Sequence, residues 1–191
     1  MRSSILQGGN YVIKKIENRK FEACGKIAWL WSASPLHQAF TTSLQARFIL
    51  PAVELGNFHI LEAHGMPAAY CSWAMMSREA EARYVLNPSE MKLEDWASGD
   101  RLWFIDWISP FSSRFTWRLK QTMAEEKFPN SVARSYKVKG KSSKARIATF
   151  IGANLTKQQS YQLRRKYHLE LTEELRKISE TDQSFALRDS G

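Results

Sequence analysis

The sequence predicts an α+β fold, a strongly bent and mostly antiparallel sheet with helices packed on it. Three observations lead there. Short strand-like runs alternate with helical stripes, and two of the runs are joined through His64-Gly65. Residues 101–108 are apolar on both pleat faces, which marks a central strand covered on both sides. The chain has 191 residues, 43% of them hydrophobic, with seven Trp and ten Phe, so one domain with a substantial core is expected.

Residues 1–24 are polar and weakly patterned and read as an N-terminal extension. A helix is expected from Ser43 to Leu55, with Leu44, Phe48, Ile49 and Val53 on one side and Pro51 bending or interrupting it. Asn57–Ala63 and Met66–Ala74 form the hairpin. Ser77 caps a helix over Arg78–Leu86, which Asn87-Pro88 ends. In the strand Arg101–Ile108, period two places Leu102, Phe104, Asp106 and Ile108 on one face and Trp103, Ile105 and Trp107 on the other. Phe115–Phe128 reads as a helix stopped by Pro129. Val132–Val138 and Ala145–Ile151 read as two strands. Thr156-Lys157-Gln158-Gln159 is a capping-box pattern opening a last helix with Leu163, Tyr167, Leu171, Leu175 and Ile178 in a stripe. Residues 179–191 read as a disordered polar tail. There is no internal repeat.

The formal net charge is +9, and all of the excess lies late in the chain. Residues 1–109 hold 11 Lys/Arg and 11 Asp/Glu; residues 110–191 hold 17 and 8. The densest run, Lys137 to Arg146, has five cations and no acid. Such a surface steers acidic partners, although a solvated loop would look the same. No stretch approaches the ~20 apolar residues of a membrane-spanning helix. The first residues lack the apolar segment of a signal peptide. Cys24 and Cys71 have no metal-ligand spacing and read as thiols in a reducing cytoplasm.

Two residues carry the chemistry. Asp106 is a carboxylate among apolar neighbours, and burying it ionised costs several kcal/mol unless it is paired or hydrogen-bonded. His37 follows Ser34-Pro35-Leu36 at the end of the apolar run Trp29-Leu30-Trp31. Together they are the parts of a base and its orienting partner, with His37 taking a proton from an amine or itself attacking an acyl thioester. The structural alternatives are a carboxylate satisfied by backbone or indole N–H groups and a histidine filling a core corner. The pairing requires the two side chains within hydrogen-bond reach. Ser34 is a possible supporting residue, either donating to the reacting carbonyl or capping a helix. Cys71 reads as a buried, inert thiol. His59, His64 and His168 have no partner pattern. Gly8-Gly9 lacks the strand–loop–helix setting of a phosphate cradle, which counts against an ordinary coenzyme A-type enzyme.

The chain resembles the RTX-toxin-activating lysine acyltransferases of the haemolysin-activating type. The resemblance covers roughly residues 25–178 and rests on ordered blocks: Gly25 to Trp31, Ser34-Pro35-Leu36-His37, Leu50-Pro51-Ala52, Ala69-Tyr70-Cys71-Ser72-Trp73-Ala74, Glu94-Asp95-Trp96, Gly99-Asp100-Arg101, Trp103 to Ile108, and Lys127-Phe128-Pro129. It implies a variant of the GNAT acyltransferase fold over residues 25–178, able to form a homodimer. It implies transfer of a fatty acyl chain from acyl-acyl carrier protein, with no tightly bound cofactor, to internal lysines of an RTX protoxin in the cytoplasm. The family's catalytic pair falls on His37 and Asp106, and its motif serine on Ser34. An acidic carrier protein would suit the basic late half. The chain departs from the family pattern at Ser112-Ser113-Arg114, where Gly-Asp is usual. It also departs at Lys137, which replaces the second Arg of a basic pair beginning at Arg134, and at Gly152-Ala153, which replaces Gly-Gly.

Two other readings compete. One is a GNAT-like N-acyltransferase that uses coenzyme A thioesters on another amine. The other is a basic nucleic-acid-binding module in which Trp117, Tyr136 and Phe150 stack on bases; it is not expected, because the Trp-rich blocks and Asp106 lie outside the basic half.

Overall fold

The computed structural model describes residues 7–138 and 145–188, with side chains over 18–137 and 146–180. The helices are α1 Gln7–Ala33, α2 Thr42–Leu55, α3 Arg78–Leu86, α4 Ser113–Thr122 and α5 Lys157–Arg188. The strands are β1 Phe58–Ala63, β2 Met66–Met76, β3 Arg101–Ile108, β4 Val132–Val138 and β5 Ala145–Ile151. They form one five-stranded sheet in the order β1-β2-β3-β4-β5. The sheet is mixed. β1 with β2 and β4 with β5 are antiparallel, but β3 and β4 run parallel. The chain between β3 and β4 contains α4, a crossover long enough to bring the next strand back in the same direction.

Two compact units emerge, Met1–Ser72 with Asp106–Leu119 and Trp73–Ile105 with Lys120–Gly191, and the border passes through β2 and β3. In the first unit, α1 presents Ala23, Ile27, Leu30 and Trp31 at helical spacing, and these pack with Ile49 and Val53 of α2, Tyr70 of β2 and Ile108 of β3. The apolar stripe begins before residue 25, so α1 runs unbroken through much of the expected extension. Lys20 pairs with Glu54, and Lys26 pairs with Glu62 at 2.6 Å, fastening the same helix to α2 and β1.

Thr41 Oγ1 caps α2 by accepting from Leu44 N–H at 3.3 Å, and Gly56 closes it at φ 69°. Pro51 does not interrupt α2: Ile49, Ala52 and Val53 are buried on both sides of it, and that burial offsets a lost backbone bond. The hairpin turn has His64 at φ 52° and Gly65 at φ 75°. Two successive left-handed residues make the tight turn whose twist matches the flanking strands.

In the second unit, Ser77 Oγ accepts from Ala80 N–H at 3.1 Å and caps α3 as expected. The two faces of β3 separate as period two requires. Phe104 meets Phe128 and Phe150, whereas Trp103 meets Tyr84 and Tyr136. Beneath Trp103 lies a buried carboxylate, Glu81. Its Oε1 accepts from Trp103 Nε1 at 2.7 Å and from Arg134 Nη1 at 2.6 Å. Arg101, equally buried, pairs with Glu170 of α5 and lies 4.1 Å over the Tyr167 ring.

The helix expected over Phe115–Phe128 is α4 followed by a π-helical turn, Met123–Lys127. Phe128 N–H donates to Met123 O, which frees Ala124 O to accept from Ala153 N–H at 2.9 Å. Pro129 has no N–H with which to continue the helix. Gly152 sits where a Cβ would come within 2.2 Å of Phe128 O, so the first position of the Gly152-Ala153 pair has no room for a side chain.

The capping box at α5 is reciprocal. Gln159 N–H donates to Thr156 Oγ1 at 3.2 Å, and Thr156 N–H donates to Gln159 Oε1 at 2.9 Å. α5 then continues to Arg188, into the segment 179–191 expected as a polar tail. Along it, Arg176–Glu180 and Lys177–Glu173 pair one turn apart. Residues 189–191, and most of the basic run Lys137–Arg146, lie outside the described residues.

Two stability predictions follow from the second unit. Glu81→Ala leaves Arg134 and the Trp103 indole without their shared acceptor and should cost about 3–5 kcal/mol in denaturant unfolding. Gly152→Ala should cost about 1–3 kcal/mol, whereas Ala153→Gly at the neighbouring exposed position should change stability by less than about 1 kcal/mol.

Candidate active site

α1 ends at Ala33, and Ser34-Pro35-Leu36-His37 forms a tight turn directly after it. His37 N–H and Gln38 N–H both donate to Ser34 O at 2.9 Å, and Phe40 N–H donates to His37 O at 2.9 Å. Proline at the second position of such a turn has the required φ and no N–H to satisfy. The turn therefore sets residues three apart side by side. Ser34 Oγ and His37 Nδ1 are 2.7 Å apart, both side chains buried. Ser34 consequently caps no helix start; it follows a helix end, and its hydroxyl is engaged by the imidazole.

The other imidazole nitrogen, Nε2, is 3.0 Å from Asp106 Oδ1. Asp106 arrives from β3, on the face that period two assigns it, and its Oδ1 also accepts from Trp107 N–H at 3.0 Å. The sequence-predicted residues Ser34, His37 and Asp106 thus form one chain of contacts within the first unit. Their order fixes the tautomer. An ionised Asp106 is acceptor-only, so the neutral ring carries its proton on Nε2, and Nδ1 accepts from the Ser34 hydroxyl. Nδ1 is then the nitrogen with a lone pair for chemistry.

Three aromatic residues enclose this pair. The Trp31 ring lies 4.8 Å from the imidazole at 46°, and Phe40 meets it edge-on at 5.3 Å. Tyr70 of β2 is fully buried; burial raises its hydroxyl pKa well above the ordinary value, and the Asp106 charge adds to the rise. Trp31 Nε1, Tyr70 OH and Asp106 Oδ2 are buried polar atoms without a hydrogen-bond partner, and so are Ser72 Oγ and Arg101 Nε. Sequence reading placed Trp31 and Tyr70 in motif blocks but gave them no role; nothing in spacing alone tells an aromatic packed on the His37 ring from one in the core.

Other candidates lie elsewhere. Cys71 is buried, and its thiol pKa is pushed well up by burial and by the Asp106 charge, so it stays protonated, as an inert core thiol should. His168 is on the exposed side of α5. The Glu94-Asp95-Trp96 block is structural: Asp95 accepts from Arg83 Nη2 at 2.6 Å and from Lys92 N–H at 3.0 Å. Gly99 is required because a Cβ there would lie 2.6 Å from Met76 O.

The arrangement of hydroxyl, imidazole and carboxylate can take a proton at Nδ1, activate the Ser34 hydroxyl, or present Nδ1 as a nucleophile. Comparison with known proteins identifies the family. The family model for RTX toxin acyltransferases matches residues 16–151. The chain is 42% identical over 164 residues to the leukotoxin-activating lysine-acyltransferase of Aggregatibacter actinomycetemcomitans, covering 86% of this chain and 96% of that one. It is 38% identical over 170 residues to a protein-lysine myristoyltransferase of Escherichia coli, covering 89% and 97%. A protein-lysine palmitoyltransferase of Bordetella bronchiseptica is 40% identical over 156 residues, covering 82% and 84%. With its motif blocks in order and matches of this extent, the chain belongs to the RTX toxin acyltransferase family.

Proposed function

We propose that this chain is a protein-lysine N-acyltransferase that moves a fatty acyl group from acyl-acyl carrier protein to internal lysines of an RTX protoxin, in the cytoplasm. The observation that carries the reading is His37 held between Ser34 and Asp106, one ring nitrogen fixed and the other directed at a hydroxyl. The relatives' activities, protein-lysine myristoyl and palmitoyl transfer, supply the reaction class. A GNAT-like sheet is supported by the parallel β3–β4 pair. Its register covers Leu102–Phe104 against Ala133–Ser135, while β3 itself runs on to Ile108. Of the three stacking platforms a nucleic-acid-binding reading needs, Tyr136 and Phe150 are packed against Tyr84 and Phe104, and Trp117 is exposed.

In the proposed reaction the lysine Nζ attacks the thioester carbonyl carbon while Nδ1 of His37 takes a proton from the amine, directly or through the Ser34 hydroxyl. The tetrahedral adduct collapses, the C–S bond breaks, and the imidazolium returns its proton to the leaving thiolate. Asp106 holds the ring in the Nε2–H form and balances the positive charge that develops on it. The Trp31 and Phe40 rings fix the imidazole plane.

Coexpression with an RTX protoxin, followed by peptide mass measurement, should show a fatty-acyl increment on lysine. The increment should vanish with His37→Ala, and near wild-type acylation by that folded variant would refute the reading. Asp106→Asn should lower kcat by about 10²-fold or more with the fold retained. Ser34→Ala should lower it less than His37→Ala does, because Ser34 holds Nδ1 but forms no bond to the acyl group. Equal loss in the two variants would point to an acyl-serine route.

A further inference from the structure

We infer that a groove between β5 and α5 docks an acidic, partly apolar segment of the protein substrate, separate from the lysine that reacts. This rests on the acyl-transfer reading above, which makes a protein the acceptor. The groove has a volume of about 540 Å³ and lies wholly within the second unit. β5 lines it with Ile147 and Thr149, and α5 with Tyr161, Arg164, Arg165, His168 and Leu169, among others. No Asp or Glu among the described residues lines it.

Charge and exposed apolar area together select the occupant. Arg134, which also lines the groove, is already paired with Glu81. Arg164 and Arg165 are exposed and have no carboxylate partner among the described residues. No acid stands three or four residues from either one, unlike Arg176 and Lys177 further along the same helix. Neighbouring cations left open in this way attract an acidic ligand and repel a basic one. Beside them Ile147 is 42% exposed, Tyr161 57% and Leu169 58%. Grouped apolar exposure marks a binding surface, and a small anion would leave it uncovered. A peptide with both acidic and apolar side chains satisfies both features. β5 adds a means of holding it, because it ends the strand order and its outer edge has no neighbouring strand among the described residues. An extended peptide joins such an edge through main-chain hydrogen bonds, and its alternate side chains then fall on the face that carries Ile147 and Thr149.

The acceptor protein fits this place better than the donor does. The groove shares no residue with Ser34, His37 and Asp106, which belong to the first unit. A donor must bring its thioester to His37 at the end of a prosthetic arm. A protein acceptor is a long chain, and one segment can be held while another presents the lysine. A second copy of this chain would bring a late half with the same positive excess, 17 Lys/Arg against 8 Asp/Glu over residues 110–191.

The test uses the full-length protein, with Arg164→Glu/Arg165→Glu to reverse the charge and Leu169→Ser to remove apolar area; both sites are exposed. KM and kcat are measured for an RTX protoxin and for myristoyl-acyl carrier protein, and Kd for the protoxin alone. The charge-reversed variant should raise protoxin KM and Kd at least about tenfold, with kcat and the carrier-protein KM unchanged. Leu169→Ser should shift the same two constants in the same direction, and added salt should weaken protoxin binding more steeply in the wild type than in the charge-reversed variant. Unchanged protoxin KM and Kd in both variants would overturn the inference and leave acyl transfer intact. A rise confined to the carrier-protein KM would overturn it by making the groove a donor site. So would a changed oligomeric state in light scattering, or lost binding to a DNA duplex, with protoxin Kd unchanged. Absence of any transfer by the wild-type protein would instead overturn the acyl-transfer reading, and the protoxin Kd would still report on the groove.

Discussion

The bond between Asp106 and His37 is the interaction on which the site depends. A carboxylate on an apolar strand is tolerable only if something holds it, and here the holders are an imidazole N–H and the Trp107 amide. The constraint runs in both directions. Asp106 makes Nε2 the protonated nitrogen, which leaves Nδ1 bare, and the tight turn after α1 then brings the Ser34 hydroxyl to Nδ1. Much of the first unit serves this geometry. The stripe Ala23, Ile27, Leu30 and Trp31 fixes α1 against the core, and the end of α1 fixes the turn.

The second unit solves a similar problem for a structural purpose. Glu81 is almost fully buried, and it is satisfied by Trp103 and Arg134 in good geometry. Arg101 is held by Glu170 and the Tyr167 ring. Every charge in this cluster has a partner. Around His37, Asp106 Oδ2 and Trp31 Nε1 are left without a hydrogen-bond partner, as Arg101 Nε is in the cluster.

Much of this was legible in the sequence where a local signal decided the outcome. The caps at Ser77 and Thr156, the His64-Gly65 turn and the alternation along β3 act over a few residues, and all form as read. The His37–Asp106 pairing was also legible, because a carboxylate in an apolar strand demands a partner. Less legible were features set at a distance. The parallel return of β4 depends on a crossover, the π turn before Pro129 on a carbonyl contacted by Ala153, and the continuity of α1 before residue 25 on packing against α2. The roles of Tyr70 and Trp31 are likewise invisible in spacing, since any buried strand or helix carries aromatics.

The central claim is that Asp106 fixes His37 as the Nε2–H tautomer and leaves Nδ1 as the working nitrogen. Nitrogen NMR of the resting protein with labelled histidine tests it directly. The account predicts, for the neutral ring, a proton on Nε2 of His37 in a strong hydrogen bond that is lost in Asp106→Asn, and no proton on Nδ1. A neutral His37 protonated at Nδ1, or an Nε2 resonance indifferent to Asp106→Asn, would contradict it.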